Sequence, residues 1–317
     1  MKFERGLEQV VRDPHSVVTV GTFDGVHRGH QAVLGYVRAQ AQQRGGKSTV
    51  LSFDPHPREV LRGEPVPLLT TIEERVALLE ALGIDRFIVL PFTPALAAMS
   101  AEDFVAQVLV EHIGLQAICV GYDHTFGRNR EGNVALLETL GPRYGFAVDV
   151  IPPQVVGDRT VSSTLIRQLL LRDGAVEQAA LLLGRPYSLQ AIVVHGDGRG
   201  RLLGFPTANL HVAHPRKIIP RNGVYAVRVW LSERPSWLYG MMNIGMRPTF
   251  EGDRRMLEVH ILEFEGDLYG KLLRIDFIAR LRDEQRFASI EALRAQLFQD
   301  RQRCIEVLQT SPGDLRL

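Results

Sequence analysis

With 317 residues, 45% of them hydrophobic and 23% charged, the chain is an ordinary globular sequence long enough for two domains. A formal net charge of +1 excludes the basic balance of a general nucleic-acid or membrane-surface binder, and the two cysteines, Cys119 and Cys304, exclude a disulfide framework or thiolate zinc site. The start, MKFERGLEQVV, lacks a signal-peptide core and no apolar run is long enough to span a bilayer, so a cytoplasmic protein is expected, with self-association left open.

SVVTVGTF predicts a strand, and GHQAVLGYVRAQAQQRGG a helix closed by glycines. STVLSFDPHP predicts a second strand, stopped by prolines. TIEERVALLEALG follows as a helix, with Thr71 as cap, Glu74 three residues on and Gly83 just past the end. DRFIVLPF, LQAICVGYD and FAVDVIPPQ predict three further strands, the first two separated by the capped helix SAEDFVAQVLVEHIG. Strands joined through helices imply right-handed crossovers and a mainly parallel sheet, so this half is α/β.

From about Gly184 the rhythm changes. YSLQAIVVHGDGRG, GVYAVRVWLS, WLYGMMNIG, MLEVHILEF and KLLRIDFIARL are strand-like, and a helical pattern returns only in SIEALRAQLFQDRQRCIEVL. Such a run predicts an antiparallel sheet or small barrel with one terminal helix packed on it. The boundary is expected at LLLGRPYS, giving domains 1–184 and 185–317.

In VTVGTFDGVHRGHQ, residues 19 to 32, a strand runs through a glycine turn into a helix. Open parallel sheets bind ligands at the carboxyl ends of their strands, and a helix starting there aims free N–H groups at an anion. His27 and His30, three apart, share one helix face. Three readings compete. As a metal pair they need a third ligand, for which Asp24, Asp54 and His56 are near but in no recognised spacing. As structural residues they cap or pack the first turn. As a phosphate site the imidazoles donate hydrogen bonds while charge builds up during displacement, and Gly29 lets a phosphate approach. The strand, turn and helix context favours the last.

TVSSTLIRQLL places Ser162, Ser163 and Thr164 before a helix, with Arg167 in its first turn. Alone this is an ordinary cap; beside the histidine pair, an arginine aimed at a triphosphate is the better reading. Two decoys fall away. QQRGGKST has Ala41 in place of the first P-loop glycine, and HGDGRGRLLG has Arg201 in place of the last glycine of a dinucleotide fingerprint. In GDGRGRLLGFPTANL, Gly196, Gly198, Gly200 and Gly204 make a loop that can approach phosphates closely. Thr207 and Asn209 alternate across Ala208, so on an extended segment both point one way, and a hydroxyl with an amide oxygen suits Mg2+. The plain alternative is a glycine-rich turn before a polar edge.

GTFDGVHRGH resembles the H-x-G-H signature of the nucleotidyltransferase superfamily. With SSTLIR, SFDPHPREVL and VGYDHTFGRNREGN, the first half is similar to the adenylyltransferase half of the bacterial bifunctional riboflavin kinase/FMN adenylyltransferase (FAD synthetase) family. IIPRNGVYAVRV, NIGMRPTF, LEVHILEFEGDLYG and ARLRDEQRFASIEAL, joined to GFPTANL, resemble its riboflavin kinase domain. His124 stands where the family pattern has an aromatic residue, and ILEF where LLDF is commoner.

The resemblance implies a Rossmann-like nucleotidyltransferase domain before a β-barrel, with riboflavin and ATP giving FMN, then FMN and a second ATP giving FAD and pyrophosphate. It implies that Phe23, Asp24, Gly25, Gly29, Ser163, Thr164 and Arg167 bind ATP around the catalytic His27 and His30. In the kinase half it implies Gly198, Gly200 and Gly204 at ATP, Thr207 and Asn209 at Mg2+, and Glu258 taking the proton from the ribityl hydroxyl. Asp123, Asn243 and Arg247 are expected at the flavin. Two other functions are weighed against this. A single-activity enzyme of the same architecture would have one degenerate pocket, yet HRGH, SSTLIR, GFPTANL and LEVHIL are all intact. A non-enzymatic flavin-binding module would have no need of two Mg-ATP residue sets.

Overall fold

The computed structural model describes residues 1–122, 124–152, 155–156, 159–196, 199–234, 236–249 and 252–310. The chain divides into two compact units, Met1–Ser163 and the part that follows from Thr164.

The first unit is built on six strands: β1 (Lys2–Arg5), β2 (Ser16–Val20), β3 (Lys47–Asp54), β4 (Arg86–Pro91), β5 (Leu115–Gly121) and β6 (Ala147–Ile151). All pairings are parallel, in the order β1-β4-β3-β2-β5-β6. The five expected strands are present. The edge strand β1, KFER, is an addition: it carries no alternation to announce it and owes its conformation to pairing with β4. Both faces of the sheet are covered, because neighbours such as Val17 and Val18, or Val50 and Leu51, point into different apolar clusters. That explains why these strands read as continuous apolar runs. The order reverses between β2 and β5, so a crevice opens beyond their carboxyl ends, where the chain leaves β2 through Gly21. The expected helices follow, among them Arg28–Gln43 and Ile72–Ala81, the latter with Thr71 and Glu74 forming a capping box. A two-stranded ribbon, β7 (Val155–Val156) and β8 (Arg159–Thr160), comes after β6.

The second unit is a closed antiparallel barrel of β9 (Tyr187–Val194), β10 (Ala208–His211), β11 (Gly223–Leu231), β12 (Leu238–Thr249), β13 (Gly252–Ile261) and β14 (Leu272–Arg282). Their circular order is β10-β13-β12-β11-β14-β9. The terminal helix Ile290–Thr310 lays Cys304 and Leu308 against Val224, Met241 and Leu281. Burial pushes both thiols, Cys119 and Cys304, up to about 12, which favours the protonated, unreactive form. The segment before β9 is compact with the barrel: Arg221 donates its N–H to Leu170 O at 2.9 Å, and the Arg280 N–H reaches the Glu177 carboxylate at 2.9 Å. Compaction therefore divides the chain earlier than residue 184.

Candidate functional site

The first cluster sits on the turn after β2. Phe23, Gly25 and Val26 all have left-handed φ, at 47°, 87° and 40°. For a β-branched valine this is a strained backbone, which persists only where its surroundings over-determine it. Here they do. The Asp24 carboxylate, 1% exposed, accepts from Leu69 N–H at 3.0 Å, Thr70 N–H at 2.8 Å and the Thr70 hydroxyl at 3.0 Å. Thr70 Oγ1 in turn accepts from Gly25 N–H at 2.8 Å, and the Ser163 hydroxyl donates to Asp24 O at 2.9 Å. Asp24 and Ser163 thus hold the turn. Phe23 is buried and its ring lies 5.1 Å from that of His30.

The turn delivers His27 as N-cap of Arg28–Gln43. His27 Nδ1 accepts from His30 N–H at 3.2 Å, which places the proton of a neutral ring on Nε2. The rings of His27 and His30 stack with centroids 3.6 Å apart and 15° between planes. A Cβ on Gly29 would lie 3.2 Å from the His27 ring, so glycine here gives the imidazole its space. The capping and phosphate readings are therefore compatible: one nitrogen caps and the rings stack at a helix N-terminus. The metal reading finds no support, since Asp24 is bonded to Leu69 and Thr70, Asp54 pairs with Arg5 at 2.9 Å, and His56 Nδ1 caps the helix Pro57–Arg62. Among the described residues no group of three or more His, Cys, Asp or Glu is placed to hold a metal.

Ser163 and Thr164 do not precede their helix, as the sequence suggests, but form its first turn, Ser163–Gln168, with Thr164 exposed and Arg167 half-buried. The Ser163 hydroxyl, instead of capping this helix, donates to Asp24 O. In the loop after β5, His124 stacks on Phe126 at 5.8 Å and 23°, so a flat ring is kept where the sequence departs from an aromatic. Arg128 and Arg130 are exposed. Asp123 lies outside the described residues.

The second cluster is set by strand register. Asn209 on β10 lies opposite Glu258 on β13, and Glu258 lies opposite Asn243 on β12. Three polar side chains from distant segments therefore form one transverse row on one face of the barrel. Their neighbours Leu257 and Val259 are buried on the other face. A Cβ on Gly196 would lie 1.9 Å from Asn209 Nδ2, and one on Gly200 would lie 3.2 Å from Thr207 Oγ1. The glycine loop thus closes on the two oxygen-bearing side chains, with Gly204 turning at φ 80°. Asn209 is 7% exposed and, among the described residues, its Oδ1 has no hydrogen-bond partner. A buried amide oxygen left without a donor, beside a hydroxyl and under a glycine cradle, fits a hard divalent cation. Gly198 lies outside the described residues; of Arg247 only the backbone is described, opposite Arg254.

Sequence reasoning missed several neighbours. Glu284 crowds Gly245, a Cβ there falling 2.2 Å from its Oε1 and 3.4 Å from Asn243 Nδ2. His260 Nδ1 lies 2.7 Å from Pro206 O, one residue before Thr207. The alternation of LEVHIL places His260 on the Glu258 face, a signal available in advance. Arg75, beneath the first turn, was legible only as part of a helix. A cavity of about 500 Å³ is lined by Val193, Thr207, Ala208, Val259, Leu268 and Tyr269 among others.

Comparison with known proteins divides the chain in the same sense. The FAD synthetase family model matches residues 10–165 and the riboflavin kinase model residues 183–308. A bifunctional riboflavin kinase/FMN adenylyltransferase of Escherichia coli K12 is 40% identical over 95% of this chain and 96% of its own. The protein of that description from Pseudomonas fluorescens is 41% identical, again over 95% and 96%. A crystal structure from Streptococcus pneumoniae, described as a macrolide-efflux protein, is 30% identical with a TM-score of 0.86 over 96% of this chain and 99% of that one. Among the described residues, no helix is long and apolar enough to cross a membrane.

Proposed function

The chain belongs to the bifunctional riboflavin kinase/FMN adenylyltransferase family, and on that premise we propose how its two sets of residues share the work. The protein phosphorylates riboflavin with ATP to FMN and ADP, then transfers an adenylyl group from a second ATP to FMN, giving FAD and pyrophosphate. We assign the second reaction to residues 1–184 and the first to residues 185–317.

In the kinase reaction, Glu258 takes the proton from the ribityl hydroxyl as it attacks the γ-phosphorus, which suits a transfer governed by positioning and charge neutralisation. Thr207 and Asn209 would hold Mg2+, which when bound neutralises phosphate charge. Gly198, Gly200 and Gly204 are assigned to the phosphates of ATP, and Asn243 and Arg247 to the flavin. The cavity beside Thr207, with apolar walls from Val193, Val259 and Leu268 and charged groups from Arg201, Glu265 and Asp267, has the volume for the nucleoside of ATP. The row Asn209–Glu258–Asn243 supports this reading, because the register aligns side by side the three residues assigned as cation ligand, base and flavin contact.

In adenylyl transfer, the FMN phosphate attacks the α-phosphorus directly, with no covalent enzyme intermediate. His27 and His30 steady the transferring phosphate at the helix N-terminus. Gly25 and Gly29 give backbone access, Phe23, Asp24 and Ser163 shape the turn, and Thr164 and Arg167 hold the triphosphate. Asp123 is assigned to the flavin side. The reading places the enzyme in the cytoplasm, in keeping with two free, buried cysteines.

The test is a chromatographic time course with riboflavin, ATP and magnesium. FMN appearing first and FAD after it is the expected result. FMN alone would leave a kinase with a silent first half, and unchanged riboflavin and FMN would remove the enzymatic reading.

A further inference from the structure

We propose that Arg75 is a positioning residue for adenylyl transfer, holding the backbone turn that presents His27 and His30. This rests on the assignment of that histidine pair to the adenylyl site. By sequence, LLTTIEER is only a capped helix start; in the structure the segment Leu69–Arg75 is a bracket on residues 22 to 25. Leu69 and Thr70 hold the Asp24 carboxylate, Thr70 holds Gly25 N–H, and Arg75 Nη1 donates to the Thr22 carbonyl at 2.7 Å. The Ser52 hydroxyl donates to the same carbonyl at 3.2 Å and lies 3.4 Å from Arg75 Nη1.

Arg75 is an expensive way to fill this space. It is 3% exposed, and among the described residues its Nε has no hydrogen-bond partner and no carboxylate forms an ion pair with it. Burial draws its pKa down, against the more distant charges of Asp24, Asp54, Glu73 and Glu74. An aliphatic side chain would fill the same volume without that desolvation. What an aliphatic residue lacks is the shorter of the two donors to Thr22 O, the last carbonyl before the left-handed residues Phe23, Gly25 and Val26, leaving only the 3.2 Å contact from Ser52. Released there, the strained turn can relax toward ordinary φ values and carry the His27 cap with it. Displacement of such a group by about 1 Å costs about 100-fold in rate.

The experiment uses the full chain, with adenylyl transfer from FMN, riboflavin phosphorylation as internal control, and thermal unfolding. Arg75→Gln is expected to lower kcat for adenylyl transfer about 10- to 100-fold, leaving KM for ATP and the kinase unchanged. Arg75→Lys, still able to donate to Thr22 O, is expected to recover most of kcat. In a His27→Ala background, Arg75→Gln is expected to add little, because it acts through His27. Should Arg75→Gln fail to fold, Arg75→Lys with Ser52→Ala weakens the same anchor and is expected to show the kcat-only loss. Independent, multiplying effects of Arg75→Gln and His27→Ala would overturn the proposal. So would a loss confined to KM, or one matching the unfolded fraction. Normal adenylyl transfer in His27→Ala with His30→Ala would instead sink the site assignment itself; an inactive histidine variant beside an unaffected Arg75→Gln would sink only the role of Arg75.

Discussion

In the parallel-sheet unit the side chains proposed for the chemistry hang from a strained turn, whereas in the barrel they stand in a row on paired strands. The first arrangement is held by side chains from elsewhere: Asp24 reaches Leu69 and Thr70, and Thr22 O is met by Arg75 and Ser52. The second is held by ladder hydrogen bonds, which align Asn209, Glu258 and Asn243 without help from the side chains themselves. A turn-borne site can be loosened from a distance. In a ladder-borne site the row itself is lost only if its own residues change or if the register slips and turns Glu258 to the other face, although a neighbouring loop can still crowd a side chain of the row.

The sharpest way to break this comparison is to remove each chemistry and watch the other. Glu258→Ala is expected to lower FMN formation about 10²–10⁴-fold, with FAD synthesis from supplied FMN intact in a chromatographic assay. His27→Ala with His30→Ala should do the reverse, and loss of both activities together with early melting would return the histidines to a structural role. Gly196→Ala comes next, because its Cβ would stand 1.9 Å from Asn209 Nδ2 and push that side chain off its place. A fall of about 100-fold in kinase rate, with a higher magnesium requirement and unchanged adenylyl transfer, is the expected kinetic signature.

A smaller effect tests whether the turn is held as described. Asp24→Ala leaves the Leu69 and Thr70 N–H groups without their acceptor, at a cost of about 1–3 kcal/mol, read as a lower melting temperature of the first unit. The smallest concerns pH. Burial holds the His260 pKa below its ordinary 6.5, more strongly than the neighbouring Arg301 charge does, while the contact with Pro206 O opposes it. The unfolded chain therefore binds the proton more readily, so stability rises with pH up to about 6.5 and is flat above. His260→Gln should remove that slope from melting curves taken across the window.

Much of this was written in the chain itself. Apolar runs of five to eight residues between capped helices, then a change to strands without helices, are local patterns, and they determined the α/β unit, the barrel and the terminal helix. Motifs such as HRGH, GFPTANL and LEVHIL carried the proposed site residues, because the chemistry assigned to them depends on residue type and short spacing. Tertiary structure alone decided the rest. KFER became a strand only by pairing with β4, and Ser163 entered its helix while bonded to Asp24 O. The row across β10, β13 and β12 joins segments tens of residues apart, and Arg75 reads as any helical arginine until the fold buries it under Thr22. Periodicity reports which face of one element is apolar; it carries no information about which element will lie against it. Register and burial are set by that packing, and the placing of both sites came with them.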